Sequence, residues 1–184
     1  MKTLRIAGLM AIVAIIAFAG IVPARAARQD QAAKDAKDVA DAIALFKQSD
    51  KLLPKWFETS YGYVVFPNIV KGGAGIGAAS GGGRVFEKNV YVGDARVTQV
   101  SIGAQLGGQS FSEVIFFETK DALDRFKQDR FEMTAGLSAV AAAEGASKDA
   151  KYTQGVAVFT VAKKGLMAEA SVGGQKFKFT PLKK

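Results

Sequence analysis

Residues 73–78 read GAGIGA and satisfy the G-x-G-x-x-G/A pattern that cradles a dinucleotide pyrophosphate, with Asp94 about twenty residues further on. That chemistry needs a helix opening at the third position, because the helix N-terminal amides and dipole hold the phosphates. The chain continues instead as AASGGGRVF, and the three glycines Gly81–Gly83 would each cost a helix about 1 kcal/mol. No Gly-Lys-Ser/Thr follows, so a P-loop is excluded as well. The chain has no His and no Cys. A cysteine nucleophile, an imidazole general base, the usual zinc ligand set and the Ser-His-Asp hydrolases are thereby removed. The acids of the glycine-rich part (Glu87, Asp94, Glu113, Glu118, Glu132, Glu144 and Glu169) are scattered, with no spacing that singles out a catalytic pair. They read as solvated or structural. No catalytic residue, metal site or cofactor is expected.

The stretch KGGAGIGAASGGGR (71–84) is then a linker or a strand. Flexible linkers are polar, whereas this one carries Ala74, Ile76, Ala78 and Ala79 between strong strand formers. Read as a strand, it sets Gly73, Gly75 and Gly77 on one face, and with Gly72 it makes a glycine strand with one nearly bare side. Another backbone, a helix or an acyl chain could lie closely on it.

Elements must position this strand. Lys2 and Arg5 precede an apolar run, Ile6 to Val22, that ends in PARA. Residues 1–26 read as a signal peptide cleaved after Ala26; an uncleaved anchor is the rival, and no cysteine permits lipidation. Secretion or a periplasmic location follows as an expectation, with peripheral association with a membrane. About 158 of the 184 residues remain, enough for one core. Removing Lys2, Arg5 and Arg25 from the chain's +8 leaves +5, suggestive of an anionic surface.

All but two of the twenty glycines stand at or after Gly62. This marks a helical N-terminal arm (27–60) and a glycine-rich β body (61–184) that form one domain. In the arm, Ala36, Val39, Ala40, Ile43 and Phe46 recur at helical spacing, predicting a helix over about 30–48. A short second helix follows at Pro54. In the body, YGYVVF (61–66) predicts a strand stopped by Pro67 and Asn68, and RVFEKNVYVGD (84–94) strands turning near Asn89. From Arg96 to Leu106, Thr98, Val100, Ile102, Ala104 and Leu106 share one face and Gln99, Ser101, Gly103 and Gln105 the other. SEVIFFE (112–118) reads as a central strand buried on both faces. Thr119 caps a helix with Leu123 and Phe126 inward. Residues 132–145 fit helix or strand. Strands at 155–162 and 176–180, with a third between them, close the chain. Short motifs recur: IGAASGG (76–82) with IGAQLGG (102–108), and GGQSF (107–111) with GGQKF (173–177). The fold class is α+β: a strongly curved, barrel-like antiparallel sheet with N-terminal helices and one further helix around residues 120–129.

The segments YGYVVFPNIVKGGAGIGAASGGGRVF, TQVSIGAQLGGQSFSEVIFF, KDALDRFK and AVFTVAKKGLMAEASVGG together resemble the SYLF-domain family, over about residues 35–180. The resemblance implies a non-enzymatic lipid-binding domain, which in eukaryotic members recognises phosphoinositides and in one branch bundles actin. It implies Lys47, Lys51, Lys55, Trp56 and Phe57 in the arm, and Lys71 and Arg84 bracketing the glycine strand, as lipid-binding candidates. Trp56 and Phe57 as core residues, with the lysines a solvated face, is the competing reading. The expected partner is an anionic phospholipid or membrane surface rather than nucleic acid. The alternative is an envelope protein that self-associates or docks a protein partner.

Overall fold

The structure, a computed structural model, describes residues 21–133 and 139–182. Residues 1–20, within the expected signal peptide, and residues 134–138 of the helix-or-strand segment lie outside the described residues, as do the side chains of 21–25, 132–133 and 165–173. The chain divides into two units, Met1–Lys37 and Asp38–Lys184. Helix α1, Ile21–Ser49, begins in the first and ends in the second, running through the expected cleavage site. Helix α2 is Leu53–Thr59, with Pro54 in its first turn. Strands β1 (Gly62–Glu87) and β2 (Val90–Phe117) form a hairpin, followed by α3 (Lys120–Lys127). Two short strands, β3 (Glu132–Met133) and β4 (Val140–Ala141), precede β5 (Val156–Pro181). The sheet order is β1-β2-β5-β3, antiparallel, with β4 parallel to β5.

The expected short strands are thus fused into three long ones. Pro67 and Asn68 do not end β1; they sit at an irregularity between Phe66 and Ile69, where the lost amide is absorbed without breaking the ladder. The segment after residue 162 is one strand with its neighbours, not three. The turn at Asn89 is a two-residue hairpin with Lys88 at φ 48° and Asn89 at φ 65°, the pair of left-handed residues that matches strand twist.

Strand β1 folds back on itself, and the glycines allow it. A Cβ on Gly83 would lie 2.5 Å from the Val65 carbonyl oxygen, one on Gly81 2.8 Å from that of Asn68, and one on Gly62 2.6 Å from that of Phe86. Lys88 N–H donates to the Tyr61 carbonyl at 3.0 Å, where the two ends of β1 meet. The sheet is curved, but the barrel-like closure expected from the glycines is wrong. Among the described residues β1 pairs with β2 alone, leaving the sheet open. The strands are long enough to bury one half against the other, so closure is not required.

The core has two layers. Val64, Phe66, Ile115, Phe117, Val156 and Val158 face the returning half of the sheet (Val85, Val97, Phe177) and α3 (Leu123, Phe126). Tyr63, Val65, Val114, Phe116, Ala157 and Phe159 face α1 and α2 through Val39, Ala42, Phe46, Leu53 and Phe57. Ala42, not Ala40, takes the inward position on α1. Residues 112–117 are buried on both faces, as their unbroken apolar run predicts. Asp50 joins α2 to the turn at Ser147, accepting from Leu52 N–H (2.9 Å), Ser147 N–H (2.8 Å) and Ser147 Oγ (2.7 Å). Burial would push its carboxyl up, but these bonds outweigh that and hold it below its ordinary value.

Candidate functional site

The bend of the folded sheet, residues 70–78 of β1 and 100–108 of β2, is where burial reverses. An alternating strand ordinarily turns its apolar face inward. Here Ser101 and Gln105 are buried, while Val70, Ile76, Val100, Ile102 and Leu106 are 58–70% exposed. Register places Ile76 beside Ile102, Ala78 beside Val100 and Ala74 beside Leu106, so these residues share the outer face as one apolar band. The same rows of β2 continue across to residues 166–174 of β5.

Glycine builds the bend. Gly75 has φ +74°, and a Cβ on Gly73 would collide with the Ile76 carbonyl and the Gly77 backbone, three and four residues further along the strand. The bare side of Gly77 is filled by the chain's own Gln105 and Ser101. Gln105 Nε2 donates to the Gly75 carbonyl at 3.2 Å and to the Ser101 carbonyl at 3.1 Å, and Ser101 Oγ donates to Gln105 Oε1 at 2.9 Å. The glycine strand therefore receives a polar clamp on its inner side. No helix opens after Gly77, which removes the geometry a pyrophosphate needs.

Beside the band lies a groove of about 580 Å³ lined by Val70, Lys71, Gln109, Lys163 and Lys164 among others. Lys163 and Lys164 are exposed, and Lys163 Nζ donates to the Pro67 carbonyl at 3.1 Å. Lys71 is buried behind them. Cationic side chains thus rim an apolar surface. The dipeptide Lys163-Lys164 was the signal in the sequence, but only register sets it against β2 at Ser110.

The remaining sequence candidates stand elsewhere. Phe57 is buried, edge-on to Tyr63 and Phe116 at 5.1 and 4.8 Å, and offers no surface. Trp56 is half-buried against Phe116, Tyr152 and Phe159. Lys47 lies over the Phe57 ring at 5.3 Å, Lys51 pairs with Glu144 at 3.5 Å, and Lys55 is exposed on α2. These five belong to the two helices that cover the base of the sheet and, for Lys51, to the turn between them. Arg84 lies near the far end of β1, over the Tyr91 ring at 4.6 Å. Of the seven, the fold brings only Lys71 to the bend; Gly72, Gly73, Gly75 and Gly77 form the bend itself.

A second polar cluster lies inside the fold. Glu113 is buried, and Gln175 Nε2 donates to its Oε2 at 3.1 Å and to Gln99 Oε1 at 3.4 Å. Burial pushes the Glu113 carboxyl up to about 7, with the Gln175 bond working the other way. Sequence reasoning passed over it as one of the scattered acids. Gln109 and Gln175, the glutamines of the two GGQ-x-F motifs, both line the cavity it borders.

Among the described residues, no helix is long and apolar enough to cross a membrane. Residues 98–180, from the outer band through the buried cluster, match the Ysc84 family, described as "Las17-binding protein actin regulator". Beta cell expansion factor A of Aeromonas veronii is 32% identical over 142 residues, covering 73% of this chain and 51% of that protein. The chain therefore spans about half the length of that relative.

Proposed function

Because this chain belongs to the Ysc84 (SYLF) family, a family of binding domains, we propose that it is a non-enzymatic protein that binds anionic membrane surfaces through the bend of its folded sheet. One observation carries the reading: at the bend the apolar residues face out and the polar ones face in, with lysines beside them. Water penalises such a face, whereas a lipid interface rewards it. Burying a Val, Leu or Ile side chain contributes about 1.5–3 kcal/mol, and each lysine near an anionic surface about 1 kcal/mol. With the leader removed after Ala26, the protein would act at a membrane face outside the cytosol. The exposed lysines of the helices and the turn between them, Lys47, Lys51 and Lys55, would add to the electrostatic attraction without inserting.

The test is co-sedimentation with phosphatidylglycerol-containing and with purely phosphatidylcholine vesicles, at low and high salt. The expected result is preference for the anionic vesicles, weakened by salt, and loss of at least tenfold in Ile102→Asp/Leu106→Asp with unchanged melting. Undiminished binding of that variant would sink the reading. A protein partner on the same outer face is the second reading, favoured by the family's description, which names a protein, Las17. It predicts that wild type ignores both vesicles.

A further inference from the structure

The inner face of the folded sheet borders a cavity of about 330 Å³ that the membrane reading does not use. Its size, at the low end for ligand sites, suits a molecule of roughly ten heavy atoms. Glu113, 1% exposed, and Gln175, 6% exposed, both line it. Gln175 Nε2 is committed to Glu113 Oε2 and Gln99 Oε1. Glu113 Oε1 and Gln175 Oε1 have no hydrogen-bond partner. Two buried acceptors in one cluster therefore lack donors, a state that folded proteins rarely leave without an ordered water, an ion or a bound group.

The missing group must donate at least two hydrogen bonds. A neutral alcohol offers one donor, whereas an ammonium offers three and forms charge-assisted bonds to a carboxylate. A hard metal ion fits poorly, since it asks for six or more oxygens. Among the described residues no three acidic side chains come together. Lys71 is the other charged side chain lining the cavity. A ligand with a singly charged anionic group beside its ammonium, as in a phosphodiester headgroup, therefore leaves the cavity neutral.

We propose that this cavity binds the ammonium group of a small amine, free or as an ethanolamine phosphate headgroup, with Glu113 Oε1 and Gln175 Oε1 accepting its N–H bonds. The site is independent of the apolar band and needs no membrane to exist. Its carboxylate must be ionised to hold the ligand, so affinity rises with pH through neutrality; Lys71 is the other ionisable side chain that lines the cavity.

Titration calorimetry of the mature protein with O-phosphoethanolamine tests this. Binding is expected at pH 8, at least tenfold weaker for phosphocholine, whose trimethylammonium has no N–H, and at least tenfold weaker in Glu113→Gln. The phosphocholine comparison needs no variant and so survives any misfolding of the mutant. A second arm replaces phosphatidylcholine by phosphatidylethanolamine in phosphatidylglycerol vesicles. Tighter wild-type binding that disappears in Glu113→Gln assigns a lipid headgroup; binding of the free amine with no vesicle effect assigns a soluble ligand. Equal affinity for phosphocholine, an unaffected Glu113→Gln, or binding of neither form overturns the proposal. Glu113→Gln retains the apolar band and its lysines, so its salt-sensitive vesicle binding persists whichever way the amine result falls.

Discussion

Replacing Glu113 by Gln removes the one fully buried acid among the described residues whose ionisation the fold opposes. The carboxyl titrates near 7 in the native protein and near 4.5 when solvated. Below pH 4.5 it is protonated in both states and contributes no pH dependence. Between pH 4.5 and 7 the unfolded chain has released the proton and the native one has not, so stability falls by about 1.4 kcal/mol per pH unit. Above 7 both are ionised, and the accumulated loss is about 3 kcal/mol, about 1.4 kcal/mol for each pH unit between 4.5 and 7. This is the sign for an acid with a raised native pKa: its favourable contribution exists at low pH and is gone above 7. Urea denaturation at intervals from pH 4 to 8.5 measures it as the difference between wild type and Glu113→Gln, which cancels every other titrating group. The variant should gain about 3 kcal/mol relative to wild type on going from pH 4 to 8. Parallel stability curves would refute the argument, because they would mean that the carboxyl keeps its charge solvated in the native protein.

Other perturbations probe the fold-back and the helix anchor. Gly83→Ala places a Cβ 2.5 Å from the Val65 carbonyl oxygen and 2.6 Å from the Phe66 ring, and should cost about 1–3 kcal/mol in urea denaturation. Gly82→Ala, with nothing within 4 Å of its Cβ, should lie within about 0.5 kcal/mol of wild type, and equal effects at the two positions would contradict the packing of β1 on itself. Asp50→Ala strands the Ser147 N–H and the Leu52 N–H. A loss of about 1–3 kcal/mol is expected, with faster amide exchange at Ser147; unchanged exchange there would show that the turn does not depend on the carboxylate.

Much of the architecture was legible because it rests on local signals. Asn89 between two strand-forming runs announces a turn, the run at 112–117 announces a strand covered on both sides, and Thr119 announces a helix. The site was legible only in pieces. Trp56 and Phe57 beside lysines have the composition of a membrane anchor, yet the same residues make a good helix-to-sheet contact, and packing decided for the latter. Glu113 looked like any scattered acid, since burial is a property of what comes to lie opposite a residue.

By itself, the sequence determined the chemistry that this protein lacks. It also determined that the glycine stretch is a strand: no His or Cys is present, and three glycines in a row cannot carry the helix a phosphate site needs. The alternation of Val100, Ile102 and Leu106 with Ser101 and Gln105 was likewise written there. Which of those faces meets water was not, because period-two alternation fixes that the faces differ and never which one is covered. That was decided by the fold-back of β1 at Gly73–Gly77, which turns the polar side of the strands inward over Gln105 and Glu113. The same bend leaves the apolar side outward, and this gives the protein its exposed apolar band.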